Sequence, residues 1–227
     1  VPASTRDRLV AAAFELFEAQ GYDATTVDDI AARAGTGRST FFRHFRGKED
    51  VVLPDHDALL GRVAGRLATA APSGAETALR EATGMVLAQY LAEGETARAR
   101  YRLSSRVPAI RDREVASVQR YVRLFSQHIH AWLESEPDGA LRAELVASSV
   151  VIAHNHVLRR WLRGDTDDPE ALLGPALGLA LTLLHAGGTP ERPTIVITSG
   201  STDVEQVVRQ VREALTPRGA RKKTGRG

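Results

Sequence analysis

Residues 26–48 read TVDDIAARAGTGRSTFFRHFRGK, and no other stretch of the chain is as informative. Thr26 and Asp29 stand three apart, the spacing of a capping box, and open a short helix that runs to about Ala34. Gly35 ends it. A tight Gly35-Thr36-Gly37 turn leads into a second short helix, Arg38 to Phe45, which stops near Gly47. Two short helices across a glycine-containing turn are the plan of a helix-turn-helix. In the second of them Phe41 and Phe45, four apart, share the inward face. At about 100° per residue the opposite face centres on Arg43, with Ser39 and Thr40 beside it, Phe42 and His44 at its edges and Arg38 at its N-terminal end. From Arg38 to Lys48 the chain carries Arg38, Arg43, His44, Arg46 and Lys48 and no acid. Such a helix fits the major groove of DNA and offers donors to base edges and phosphates. Taken alone, the pattern is better explained by an ordinary amphipathic helix with solvated arginines.

The flanking sequence is helical in period. Leu9, Ala13, Leu16 and Phe17 line one face of a first helix, with Ser4 and Asp7 as its capping box and Gly21 as its stop. After Gly47 a helix is expected from about Lys48 to Ala71, kinked near Pro54, then a break at Pro72-Ser73-Gly74. Further helices are expected at about 75–92, 95–106, 110–135, 140–163 and 169–186, separated by Gly94, Pro108, Pro137-Asp138-Gly139 and the Gly164–Pro169 stretch. The end of the chain differs. Thr194–Thr198 reads as a short strand, Val204, Val207, Val208, Val211 and Leu215 form a helical stripe, and Arg218, Arg221, Lys222, Lys223 and Arg226 make a basic, glycine-rich tail.

From Thr5 to Val51 the chain resembles the DNA-binding domain of the TetR family of bacterial regulators. The resemblance rests on AAAFELFEAQGYDATTV in the first helix, DDIAARAG in the second, STFFRHF in the recognition helix and GKED at the start of the fourth. It implies an all-α protein: an N-terminal three-helix DNA-binding domain followed by a larger helical ligand-binding and dimerisation domain, to which the reading of the chain's end adds a short C-terminal strand and helix. It further implies a homodimer on a palindromic operator in double-stranded DNA, most often a repressor released by a small, largely apolar effector. By position, Arg38, Ser39, Thr40 and Arg43 match base-facing sites, and Thr26, Phe42, His44 and Lys48 match phosphate-contacting sites. Phe42 departs from the family's usual tyrosine, and Gly37 from its usual Ser or Thr cap. On this reading 1–50 is the DNA-binding domain, 51–190 the ligand-binding and dimerisation domain, 191–216 a strand–helix extension and 217–227 a disordered basic tail. The two-helix dimer interface falls on 140–163 and 169–186, where Gly174, Gly178 and Thr182 recur every four residues and allow close helix approach. The 95–163 stretch also bears a faint likeness to regulators that respond to fatty acyl thioesters.

Composition narrows the classes. There is no cysteine, net charge is only +2, and hydrophobic residues make up 43% with aromatics at 5%, which fits a cytoplasmic, helix-rich globular protein without disulfides or thiolate metal sites. No Gly-x-Ser-x-Gly, phosphate loop or Glu-x-x-His motif points to an enzyme, and no cofactor is expected. His128/His130 and His154/His156 are two apart, which on a helix sends them to different faces, so no metal site is expected. Ala171–Pro190 lacks charged residues, but Pro175, His185 and its glycines favour a helix buried between protein surfaces over a membrane span. For the effector pocket the candidates are Tyr101, Arg106, Tyr121, Phe125, His128, Asn155 and His156, polar and aromatic groups on the helices expected at 95–106, 110–135 and 140–163.

Overall fold

The computed structural model describes residues 3–185, and every regular element in that range is helical. The order is α1 (Thr5–Gln20), α2 (Val27–Arg33), α3 (Arg38–His44), α4 (Lys48–Val51), α5 (His56–Ala68), a 3₁₀ turn (Pro72–Gly74), α6 (Ala75–Glu93), α7 (Glu95–Arg106), α8 (Pro108–Trp132), α9 (Gly139–Arg163) and α10 (Pro169–His185). The expected strand at Thr194–Thr198, the stripe from Val204 to Leu215 and the basic tail lie outside the described residues.

Local chemistry explains most boundaries. Ser4 and Thr26 cap α1 and α2 through reciprocal bonds with Asp7 and Asp29. Gly35 turns the chain at φ 67°, a conformation that penalises any Cβ. One expectation fails: the single helix from Lys48 to Ala71 is two. Pro54 has no N–H to continue a helical ladder, so α4 closes at Val51, and Asp55 restarts the chain by accepting from the Ala58 N–H at 3.1 Å. Pro108 is the first residue of α8 instead of a spacer before it, a position where its missing N–H costs nothing. Between α8 and α9, a Cβ on Gly139 would collide with the Leu133 carbonyl oxygen, so only glycine allows this approach.

Two apolar cores result. Leu9, Ala13, Phe17, Ile30, Phe41, Phe45, Val51 and Val52 form the core under the helix-turn-helix, and Ile110, from the first turn of α8, is buried among them. The larger core joins α5, α6, α8, α9 and α10 around Leu79, Leu87, Phe125, Ile129, Val150 and Leu177. Truncating a residue as enclosed as Phe41 costs about 3–5 kcal/mol in such a setting.

Candidate DNA interface and ligand cavity

The turn between α2 and α3 is closed by the Thr36 N–H donating to the Ala31 carbonyl at 2.9 Å. Phe41 and Phe45, 0% and 5% exposed, anchor α3 from below. That leaves Arg38, Ser39, Phe42, Arg43 and His44 exposed on the outer side, with Thr40 half-buried. Gly37 caps α3 without a side-chain bond. Arg43 reaches back to the Thr40 hydroxyl at 3.4 Å, and Arg38 is held by Asp28 at 2.9 Å while lying over the Phe42 ring at 5.2 Å. All these contacts are exposed and weak, so the side chains are free to exchange them for DNA.

Two of the sequence-matched residues are engaged within the domain itself. The Thr26 hydroxyl accepts from the Asp29 N–H at 3.1 Å and donates to the Asp29 carboxylate at 2.6 Å, so both of its hydrogen-bonding roles are taken. Donation from the Thr26 hydroxyl and from the Thr26 backbone N–H, at 2.9 Å, holds the Asp29 carboxyl below the usual carboxylate range. The Lys48 ammonium donates to the carbonyls of Tyr22 at 2.7 Å, Thr25 at 3.0 Å and Asp23 at 3.4 Å, and it sits 4.2 Å from the Tyr22 ring centre. Lys48 therefore stitches α4 to the α1–α2 loop. Arg6, over the Phe45 ring at 5.3 Å, is a cation beside this surface that sequence matching passed over.

A cleft of about 210 Å³ opens in the body between α5, α6, α7, α8 and α9, and a smaller apolar compartment of about 30 Å³ lies against it. Tyr90, Val118, Tyr121 and Asn155 line both. Among the sequence candidates, Tyr101, Tyr121 and Asn155 line the cleft, and Tyr121, Phe125 and Asn155 the compartment. Arg106 lines a separate groove with Phe14 and Phe17, His128 stacks at 6.3 Å on Trp132, and His156 is exposed on the outer side of α9. Among the described residues, those three border neither chamber. The inward polar residues that sequence reading missed are His154, Arg100, Glu114 and His56. His154 was discoverable as the one polar member of the stripe Ala147, Val150, Val151, His154, Leu158, Trp161, all buried on α9.

The cleft is wired to the DNA-binding end. Arg100, 3% exposed, donates from Nε to the Val52 carbonyl at the end of α4 and pairs with Glu93 at 2.6 Å. His56, on the first turn of α5, meets the Tyr121 hydroxyl at 3.3 Å. Burial, reinforced by Arg100 and Arg120, pushes the His56 ring down to about 4, so it is neutral at physiological pH. Arg113 of α8 grips Asp50 at 2.5 Å and Glu49 at 3.2 Å, both on α4, and Arg120 pairs with Asp57. Burial raises the Glu114 carboxyl and takes the Tyr121 hydroxyl above its ordinary range.

A helix-turn-helix with a free cationic outer face, carried on a helical body with an internal cavity, defines a DNA-binding regulator. The profile of the bacterial regulatory proteins, tetR family, matches residues 9–53. The HTH-type transcriptional regulator TcmR of Streptomyces glaucescens is 33% identical over 174 residues, covering 72% of this chain and 76% of that protein. The chain belongs to the TetR family of transcriptional regulators. The fold agrees with solved structures of TetR-type proteins. A regulator from Syntrophomonas wolfei has a TM-score of 0.59 at 18% identity, covering 80% of this chain and 95% of that one. FadR of Bacillus subtilis in complex with stearoyl-CoA has a TM-score of 0.52 at 19% identity, covering 80% and 98%. Among the described residues there is no cluster able to hold a metal ion, and no helix long and apolar enough to cross a membrane.

Proposed function

We propose that this protein is a cytoplasmic, homodimeric repressor that leaves a palindromic operator when a small, largely apolar molecule enters the α5–α9 cleft, and that it has no catalytic activity. The observation that carries this reading is the Arg100–Val52 bond: a residue lining the cleft holds the last turn of α4. A ligand that displaces Arg100 or Tyr121 changes what holds the helix-turn-helix, so it binds the DNA-ready and released arrangements unequally, as any effector must. The stearoyl-CoA in B. subtilis FadR shows that this architecture accepts a ligand. Arg38, Ser39, Thr40 and Arg43 read bases in this scheme. Phe42 and His44 pack along the backbone, and Thr26 and Lys48 contribute by fixing the helices that approach phosphate. Dimerisation is supported by a solvent-facing apolar row, Leu141, Leu145 and Ile152 on α9 with Leu179 and Leu183 on α10, from 38% to 79% exposed. Two copies joined there hold their recognition helices about 34–36 Å apart, one turn of DNA.

Selection from random duplex DNA tests this directly. A palindrome with two matching half-sites is expected, and Ile152→Arg with Leu179→Arg should yield monomers by sedimentation and lower operator affinity by about 10³-fold or more. Recovery of no consensus would make the protein a sequence-blind architectural binder. By linkage, operator must weaken effector binding by the factor with which effector weakens operator binding.

A further inference from the structure

His154 lies inside the apolar compartment and is 6% exposed. Its Nδ1 faces the Asn155 side-chain oxygen at 3.1 Å. An amide oxygen only accepts, so Nδ1 carries the ring proton and Nε2 is left as a bare acceptor. Burial pushes the ring down to about 4, which keeps it neutral. Nε2 is sealed from solvent and has no hydrogen-bond partner among the described residues. Of the other residues lining the compartment, Val86, Val118, Phe125, Val150 and Val151 cannot donate, the Thr83 hydroxyl already donates to the Leu79 carbonyl at 2.6 Å, and neither the hydroxyls of Tyr90 and Tyr121 nor the Asn155 amide bonds to Nε2.

We infer that the site selects a neutral, apolar molecule bearing a hydroxyl at its inner end, whose O–H enters the water-sized compartment and donates to His154 Nε2 while its ring system occupies the adjoining cleft of about 210 Å³ against Tyr90 and Tyr121. This rests on the reading of the cleft as the effector site and adds the chemical class. An anionic head finds no cation in the compartment, since those that line the cleft, Arg100, Arg111 and Arg159, border only the outer chamber. A ligand acceptor instead of a donor would meet the Nε2 lone pair and be rejected.

Calorimetric titration of the full chain with 2-naphthol and 2-methoxynaphthalene compares one ring with and without the donor. The naphthol is expected to bind about 10- to 100-fold more tightly. His154→Leu should erase that difference, and His154→Gln, which keeps an acceptor, should restore part of it. Independently of any variant, the histidine side-chain ¹⁵N spectrum should show His154 protonated at Nδ1, with the Nε2 signal moving when naphthol binds. An Nε2-protonated ring overturns the inference, as does equal affinity for the two probes, or no binding of naphthol. Val118→Trp, which fills the wall shared by both chambers, separates the layers of the argument. If it blocks two equally bound probes, the cleft remains the effector site and only the donor requirement falls. If both probes bind as before, the cleft itself is the wrong site.

Discussion

The recognition helix and the cavity wall hold their polar groups in opposite ways. On α3 the cations stand in water: Arg38 and its partner Asp28 have side chains 60% and 63% exposed, and their pairing is easily given up. On α9 and α7 the polar groups are enclosed. His154 and Arg100 are 6% and 3% exposed, and each is surrounded by apolar side chains or tied to backbone. The outer surface can therefore lose a side chain and lose only recognition, whereas the inner one loses stability as well. DNA reading and ligand sensing are thus open to separate mutation in the head but not in the body.

Acid provides the strongest test of that contrast. His56 and His154 have folded-state values near 4 against about 6.5 unfolded, so between these values the unfolded chain binds more protons. Their contribution to stability is complete above pH 6.5 and is lost as pH falls towards 4, by up to about 3 kcal/mol for each ring. Glu114, raised by burial, acts in the opposite sense, its contribution falling as pH rises. Urea midpoints measured from pH 7 to 4 should therefore fall, and His154→Leu should flatten the curve. A curve unchanged by that substitution would show that the ring is not enclosed.

Next in size is Lys48. Its replacement by Met leaves three carbonyls without their cation and should destabilise the fold by about 1.5–3 kcal/mol. The slope of operator affinity against salt should stay the same, and a slope shallower by about one would return Lys48 to the phosphate-binding set. Arg43→Ala should do the reverse: cost about 1–3 kcal/mol in preference for operator over random duplex, with thermal stability unchanged. The smallest expected effect is Gly37→Ser, which supplies α3 with the side-chain cap it lacks and should raise stability by a few tenths of a kcal/mol.

The same contrast explains what could be read from the amino acids. The head is one contiguous run in which caps, turn glycines and inward phenylalanines fall in order, so its helices and outer face follow from spacing alone. The contacts of Lys48 within the head were not legible, because its three acceptors are backbone carbonyls, which no side-chain pattern announces. The cavity is assembled from five helices spread over residues 56–162, and helical period fixes only which residues share a face, not which face turns inward. Of the two candidates on α9, Asn155 lines both chambers but His156 looks outward, and the sensing histidine, His154, sits two residues before it. The break at Pro54 was visible as a kink; only the Asp55 cap shows it to be two helices.

Ile110 bears on how such proteins are recombined. It is fully enclosed in the core beneath the helix-turn-helix, with Leu103 and Val107 half-buried against the same cluster. The first fifty residues are therefore not a transplantable module. A head grafted from a relative will meet this body through three side chains from α7, the α7–α8 junction and α8. Chimeras that exchange DNA specificity should fold only when those three positions travel with the head or already suit it.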